Sequence, residues 1–476
     1  MASLKSNSSV TVCDPDDASL YEKASGLEAI GKPAILPTPC PSPTLAPVDR
    51  GFAAWATLAA SCLMGLFVFG FPNSAGVLLA AYLDDPLYTT QKNATTLLPL
   101  IGTFNMGILY CGGVLITPSI RCYPRLRKVY TWTGIAVCFL SLLTASFTTD
   151  VRMLIASEGL TFGVGAALVY CPLVSYMTEW FVERRGLANG ILFAADNAGG
   201  MLFPVIMPLL ISRFGVAMTL RIYGIALVLC LLPAALLLKA RMPESLPNIS
   251  TSEPKLEPRH WLRDRRFWFF ISLNTLQGLA HFVPLTWLPT FAASLGVSES
   301  NASLVLTLTN GAMTLSGFAA GWLSDRVSIW ALAVGSLLLS TLATFVLWGV
   351  VAASYAGVLA FGVAYGLTAG CWSSMWSGFV RPVAGDDASL ATTIFSLLLF
   401  TRGIGNVVST PISTALQSVK IPFLSSSAPR IGFAADDSHF AAVIIYTGAC
   451  FAMAVGVATV GWALDRRPEA KQVDEA

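Results

Sequence analysis

From Gly51 to Leu83 the chain carries no charged residue. A helix that pairs its own backbone groups in lipid needs roughly 20 apolar residues to cross, so this run predicts a first span, 53–82. Further apolar runs predict spans over 95–119, 128–148, 154–178, 187–211 and 219–239. A polar segment from Arg241 to Arg266 then separates two halves. Beyond it the pattern gives 267–292, 300–324 and 328–350. The uncharged stretch Val327–Val380 is too long for one crossing and divides near Ala353-Ser354, which places a tenth span at 355–379. The last two fall at 388–416 and 438–464. The expectation is an all-α integral membrane protein with twelve transmembrane helices in two six-helix bundles. Its parts are a cytoplasmic tail (1–49), a first bundle (50–240), a linker (241–266), a second bundle (267–465) and a short tail (466–476).

Composition agrees. Only 12% of residues are charged and 55% are hydrophobic, where a soluble domain has about 25% charged. A net charge of +2 gives no reason to expect nucleic acid as a partner, and membrane lipid is the expected one. The ten cysteines are scattered without CxxC or Cys/His spacing and read as small buried side chains, with no metal site. Residues 1–49 lack the apolar core of a signal peptide, and their prolines predict an unstructured tail, with Thr38-Pro39 and Ser42-Pro43 as phosphorylation candidates.

Charge sets the expected orientation. Arg121, Arg125, Arg127, Lys128, Arg184, Arg185, Arg259, Arg263, Arg265, Arg266, Arg326, Arg381, Arg466 and Arg467 collect on one side. That side is read as cytoplasmic, with both termini on it, in the plasma membrane by default and a vacuolar membrane as the alternative. The sequons at Asn93 and Asn301 fall in loops on the other side and are glycosylation candidates. With three histidines, no GxSxG and no phosphate-binding loop ending in Lys-Ser/Thr, no enzyme constellation and no cofactor are expected. Without a nucleotide-binding motif, ATP is not expected to act as a direct energy source.

The loop after the eighth span reads Gly317-Phe-Ala-Ala-Gly321-Trp-Leu-Ser-Asp325-Arg326 and resembles the loop signature of the major facilitator superfamily. That resemblance implies glycines where helices approach and Asp325-Arg326 bracing a cytoplasmic gate. The matching loop of the first half, Gly112-Gly113 through Ile120-Arg121, keeps glycines and a basic residue without the Asp. Asp49 through Trp55, Asn73 through Val77, Trp180 through Gly190, Pro284 through Ala292 and Arg402 through Asn406 are similar to fungal members of the monocarboxylate-porter family. The similarity spans 49–464 and implies alternating-access transport of a small organic solute. Gly317 stands where that family commonly carries a basic residue, which in animal relatives binds a carboxylate. The resemblance therefore stops short of a lactate-type symporter. Fungal relatives handle organic acids, vitamins and exported secondary metabolites, so proton-driven export of a metabolite or toxin is the alternative. A membrane sensor that binds without moving its ligand is a third, remote reading.

A charge at mid-bilayer costs about 2.5–3.5 kcal/mol on insertion scales, so each one requires a reason. Arg402, deep in the eleventh run, is a candidate to bind an anionic group or, equally, a strut bonded to neighbouring carbonyls. Asp196 lies about ten residues into the fifth run, roughly 15 Å along it, and Glu158 lies near the outer, wetted end of the fourth. Both are candidates for proton coupling. His281, three residues before Pro284, is a candidate for substrate or proton binding. Asn73, Tyr170, Gln277, Asn310 and Trp372 are candidates for a cavity wall, and Arg184, Arg185, Asp325 and Arg326 for gating or bracing.

Overall fold

A computed structural model describes residues 46–242, 260–385, 387–419 and 431–474. The tail with Thr38 and Ser42, and most of the 241–266 linker, lie outside the described residues. Among the described residues there is no strand. The membrane-crossing helices are α1 (Phe52–Asp84), α2 (Leu100–Cys122), α3 (Leu126–Ala145) and α4 (Val151–Trp180). Arg185–Leu237 runs on for 53 residues and is divided at Gly215 into α5 and α6. Then come α7 (Arg265–Ser294), α8 (Asn301–Ser324), α9 (Ile329–Val351), α10 (Tyr355–Ala384), α11 (Ala388–Gln417) and α12 (Ala441–Asp465).

Local chemistry fixes where these helices start. Asp150, Asp264 and Asp387 each accept a hydrogen bond from the backbone N–H two residues on, at 2.8 Å, and so cap α4, α7 and α11. Ser354 caps α10 through Gly357 N–H at 3.3 Å, at the division expected within the long uncharged stretch. Between α5 and α6 the sequence suggests a loop, yet the chain keeps its helical hydrogen bonds on both sides and turns at Gly215 alone. There φ is +75°, a backbone setting that glycine adopts without strain.

Leu115, Leu229, Leu236 and Leu315 stand on the outside of the molecule, as lipid-facing side chains do. Inside, small residues let helices touch. A Cβ on Gly190 of α5 would sit 2.8 Å from the Gly321 Cα of α8, and Gly278 of α7 meets Gly405 of α11 as closely.

At the basic end two carboxylates grip one segment. Asp49 accepts from the N–H groups of Val182, Glu183 and Arg184, and Asp325 from Gly186 and Leu187 at 3.0 and 2.9 Å. Burial raises the Asp325 carboxyl above its ordinary range, opposed by these two N–H donors and by Arg381 and Arg326. Arg127 and Glu179 form a buried ion pair, whose other oxygen accepts from the Arg241 and Met242 N–H groups. Asn189 donates to Ser377 at 2.6 Å, and Thr178 bonds Thr392 at 2.8 Å. These last contacts, with the Asp325 bonds, join the first six spans to the last six. At the opposite end Gln91 donates to the Thr149 carbonyl, Trp287 to Ser413 and Tyr355 to the Asn301 carbonyl, each within one half.

Candidate functional site

Midway between the two ends, helix breaks open a cavity. α1 is interrupted at Ser74, just after Pro72, and α10 is interrupted over Gly370–Met375. Asn73, Gly370 and Ser373 face the space that these breaks leave. Such interruptions are tolerated in lipid only where protein or a water-filled cavity satisfies the freed backbone.

Arg402 reaches the cavity from α11 and Asp196 from α5. Arg402 donates Nη1 to Gln277 Oε1 at 2.7 Å, while its Nε is buried without a partner. Its guanidinium lies 5.3 Å from the centre of the Phe282 ring, close enough for a cation–π contact. Asp196 accepts from the Tyr170 hydroxyl through Oδ2 at 2.9 Å, and its Oδ1 is buried without a partner. Gly65 of α1 abuts that carboxylate and leaves room for it. Among the described residues, Arg402 and Asp196 are not ion-paired with each other. Tyr110 lines the same cavity, within electrostatic reach of both. Both charged residues line one cavity, and each has one buried polar atom without a hydrogen-bond partner.

His281 also lines the cavity, with Nδ1 3.4 Å from Gln277 Nε2. Asn73 lines it too, and Asn310 does so while donating to the Gly200 carbonyl at 3.1 Å. Three residues expected on the wall stand behind it. Tyr170 is fully buried against Asp196, and Gln277 is buried between Arg402 and the Ala369 carbonyl. Trp372 donates to Asn274 Oδ1 at 2.9 Å, and Asn274 in turn donates to the Leu398 carbonyl, which clamps α7, α10 and α11 together. Side chains that satisfy each other in this way have no bond to offer a solute.

Glu158 requires a correction. It is wholly buried, not wetted, and lines a different, smaller cavity beside Tyr82 and Asn105. The reason is local: α4 widens into a π-helical turn at Ile155–Thr161 and carries Glu158 inward. The Asp325-Arg326 pair also divides its roles. Asp325 bridges to α5, whereas Arg326 folds back over Trp322 of its own helix, 3.8 Å from the ring centre. Arg184 is exposed and contributes its N–H to Asp49; Arg185 is buried and donates Nε to the Phe181 carbonyl. Asn93 and Asn301 are both exposed.

The wall also contains Phe69, Tyr110, Phe193 and Phe282, none of which stood out in the sequence. Aromatic residues make up 11% of the chain, so a ring in an apolar run carries no signal by itself.

Known proteins bear on this arrangement. The sequence model of the Major Facilitator Superfamily matches residues 120–410. The chain is 29% identical over 283 residues to an MFS-type transporter of Aspergillus terreus, covering 59% of this chain and 92% of that protein. It is 24% identical to the riboflavin transporter of Saccharomyces cerevisiae (78% and 74% covered) and 22% identical to the aspyridones efflux protein of Emericella nidulans (84% and 78% covered). Among solved structures it superposes on the proton:xylose symporter XylE with a TM-score of 0.65 at 15% identity, covering 84% of this chain and 94% of that one. It superposes on FucP in the outward conformation at 0.61 and 13%, covering 86% and 99%. At these identities the structures speak for the fold alone, and the fold is the one built above: twelve helices in two sets of six. With a family model that spans more than half of its length, the chain belongs to the Major Facilitator Superfamily.

Proposed function

We propose that this chain is a proton-coupled secondary transporter of the monocarboxylate-porter type, carrying an organic acid with an unsaturated body by alternating access. One observation carries the reading: Arg402 and Asp196 face a single buried cavity from opposite halves, unpaired with each other, each with a polar atom unsatisfied. An anionic group on the solute supplies the acceptor that Arg402 Nε lacks. The rings of Phe69, Tyr110, Phe193 and Phe282 suit a flat, conjugated body. A proton on Asp196 supplies the donor that Oδ1 can offer onward, and its loss leaves a charge that the cavity must rehydrate or pair. His281, Asn73 and Asn310 complete the polar contacts to the solute in this reading.

Export of a secondary metabolite by proton antiport uses the same residues, and a similar protein named for aspyridones efflux favours that direction. In either case the two six-helix halves rock about the cavity, with 241–266 as a cytoplasmic tether and both termini cytoplasmic. The proposal extends to the plasma membrane as location, to a monomer as working unit, and to Asn93 and Asn301 as external sites open to glycosylation.

Proteoliposomes loaded with organic acids and subjected to imposed pH gradients test this. Expected is solute flux driven by the gradient, abolished by Arg402→Ala and made independent of pH by Asp196→Asn while solute exchange persists. The sign of the gradient that drives accumulation separates symport from antiport. Unchanged flux and unchanged pH dependence in both variants overturn the residue assignment.

A further inference from the structure

A second carboxyl is buried away from the transport cavity. In the π-helical turn of α4, Glu158 is fully withdrawn from the surface. Tyr82, on the part of α1 beyond the Ser74 break, donates its hydroxyl to Glu158 Oε1. Asn105 of α2 donates Nδ2 to the Glu158 backbone carbonyl at 2.9 Å. Three elements thus converge on one acidic residue.

Both polar side chains of this junction keep an acceptor in reserve. Glu158 Oε2 and Asn105 Oδ1 are buried and neither has a hydrogen-bond partner. The two residues line one small cavity, whose remaining walls are apolar apart from Tyr82. Buried acceptors that face hydrocarbon are costly, and the protein supplies no cation here: no lysine, arginine or histidine lines the space. The titratable groups around Glu158 are Tyr82 itself and Tyr88, whose rings meet at 5.0 Å, with Asp85 beyond Tyr88. α3 presents Ser141, which donates to the Ser157 carbonyl, and Cys138, whose thiol faces the Phe162 carbonyl. Arg221 of α6 is occupied by Ser146 and lies over the Phe147 ring, and Arg152 at the start of α4 is exposed. A single hydrogen on Oε2 converts one of the two orphaned acceptors into a donor.

We propose that Glu158, with Tyr82 and Asn105, forms a second proton-binding site, distinct from the central cavity, which is loaded while the outer part of α1 is docked on α4. The π-helical turn is what brings the carboxyl into this junction, and a widened turn of this kind is often found at functional sites. When the outer part of α1 moves away, Tyr82 leaves, water reaches Oε2 and the proton departs.

Infrared difference spectroscopy of the purified protein, under pH steps, reads this directly and without reference to transport. Expected is a protonated-carboxyl C=O band at neutral pH that is lost in Glu158→Gln and retained in Asp196→Asn. Gln keeps an oxygen for Tyr82 and offers an N–H toward Asn105, so the fold should survive. Tyr82→Phe keeps the carboxyl and removes its donor, which should shift the band. Survival of every carboxyl band in Glu158→Gln, or an unmoved band in Tyr82→Phe, overturns the proposal. So does a band that responds to replacing sodium by choline at constant pH, which would assign the site to a metal ion. Because Asp196 is read separately, loss of one site leaves the other standing.

Discussion

Single residues decide what the central cavity can hold. Asp196 fits beside α1 only because position 65 is glycine, and a Cβ there would collide with the carboxylate. Gly65→Ala should push the acid into the cavity at an overpacking cost of about 1–3 kcal/mol. A rise in the solute concentration for half-maximal flux is expected. Arg402→Lys keeps the charge but loses the planar fork that holds Gln277 while leaving Nε open, so weaker binding is expected with the pH dependence intact. Flux against solute concentration at two pH values checks both variants. These two charges were legible in the sequence because an ion in an apolar run is rare. Tyr110 and Phe282 were not legible, since rings are abundant and nothing in spacing alone says which of them face the cavity. Tyr170 and Trp372, expected on the wall, stand behind it, with their polar atoms taken by Asp196 and Asn274.

Among elements, the order and approximate limits of the helices follow from uncharged runs and from the acidic caps that punctuate them. What the pattern does not contain is the interior of a helix. The break of α1 at Ser74, the widened turn of α4 and the interruption of α10 leave hydrophobicity unchanged, and yet they place Asn73, Glu158 and Ser373. Sequence position put Glu158 near water; the π-helical turn put it in the core. Elements are tied at the basic end by the Arg127–Glu179 pair, which is almost wholly buried. Arg127→Met should cost about 3–5 kcal/mol by leaving Glu179 buried and uncompensated, and the further change Glu179→Gln should recover part of that loss. Thermal unfolding in detergent reads both. Trp372→Phe should cost less, about 1–3 kcal/mol, by orphaning Asn274 Oδ1, and solute specificity should not change.

For the whole molecule, the bonds that cross between halves include those of Asp325, Asn189, Thr178, Asn310 and the Thr117–Ser396 pair, and they run from the basic end to the level of the cavity. In this arrangement the halves are joined on that side, and Gly190 and Gly321 meet where α5 crosses α8. Asp325→Asn should weaken the joint by removing the charge and replacing one of the two acceptor oxygens with an NH2 donor that faces a backbone N–H, and Gly321→Ala by overpacking it at about 1–3 kcal/mol. Distances between spin labels on the basic ends of α5 and α8 should shift toward separation in both variants. Unchanged distance distributions would mean that other contacts hold this end shut. A seam formed by leaving side chains out has a one-sided tolerance. Nothing smaller exists to replace its glycines, and every larger residue acts as a doorstop, so a change of one methyl group, far from the solute, sets how long the doorway stands open.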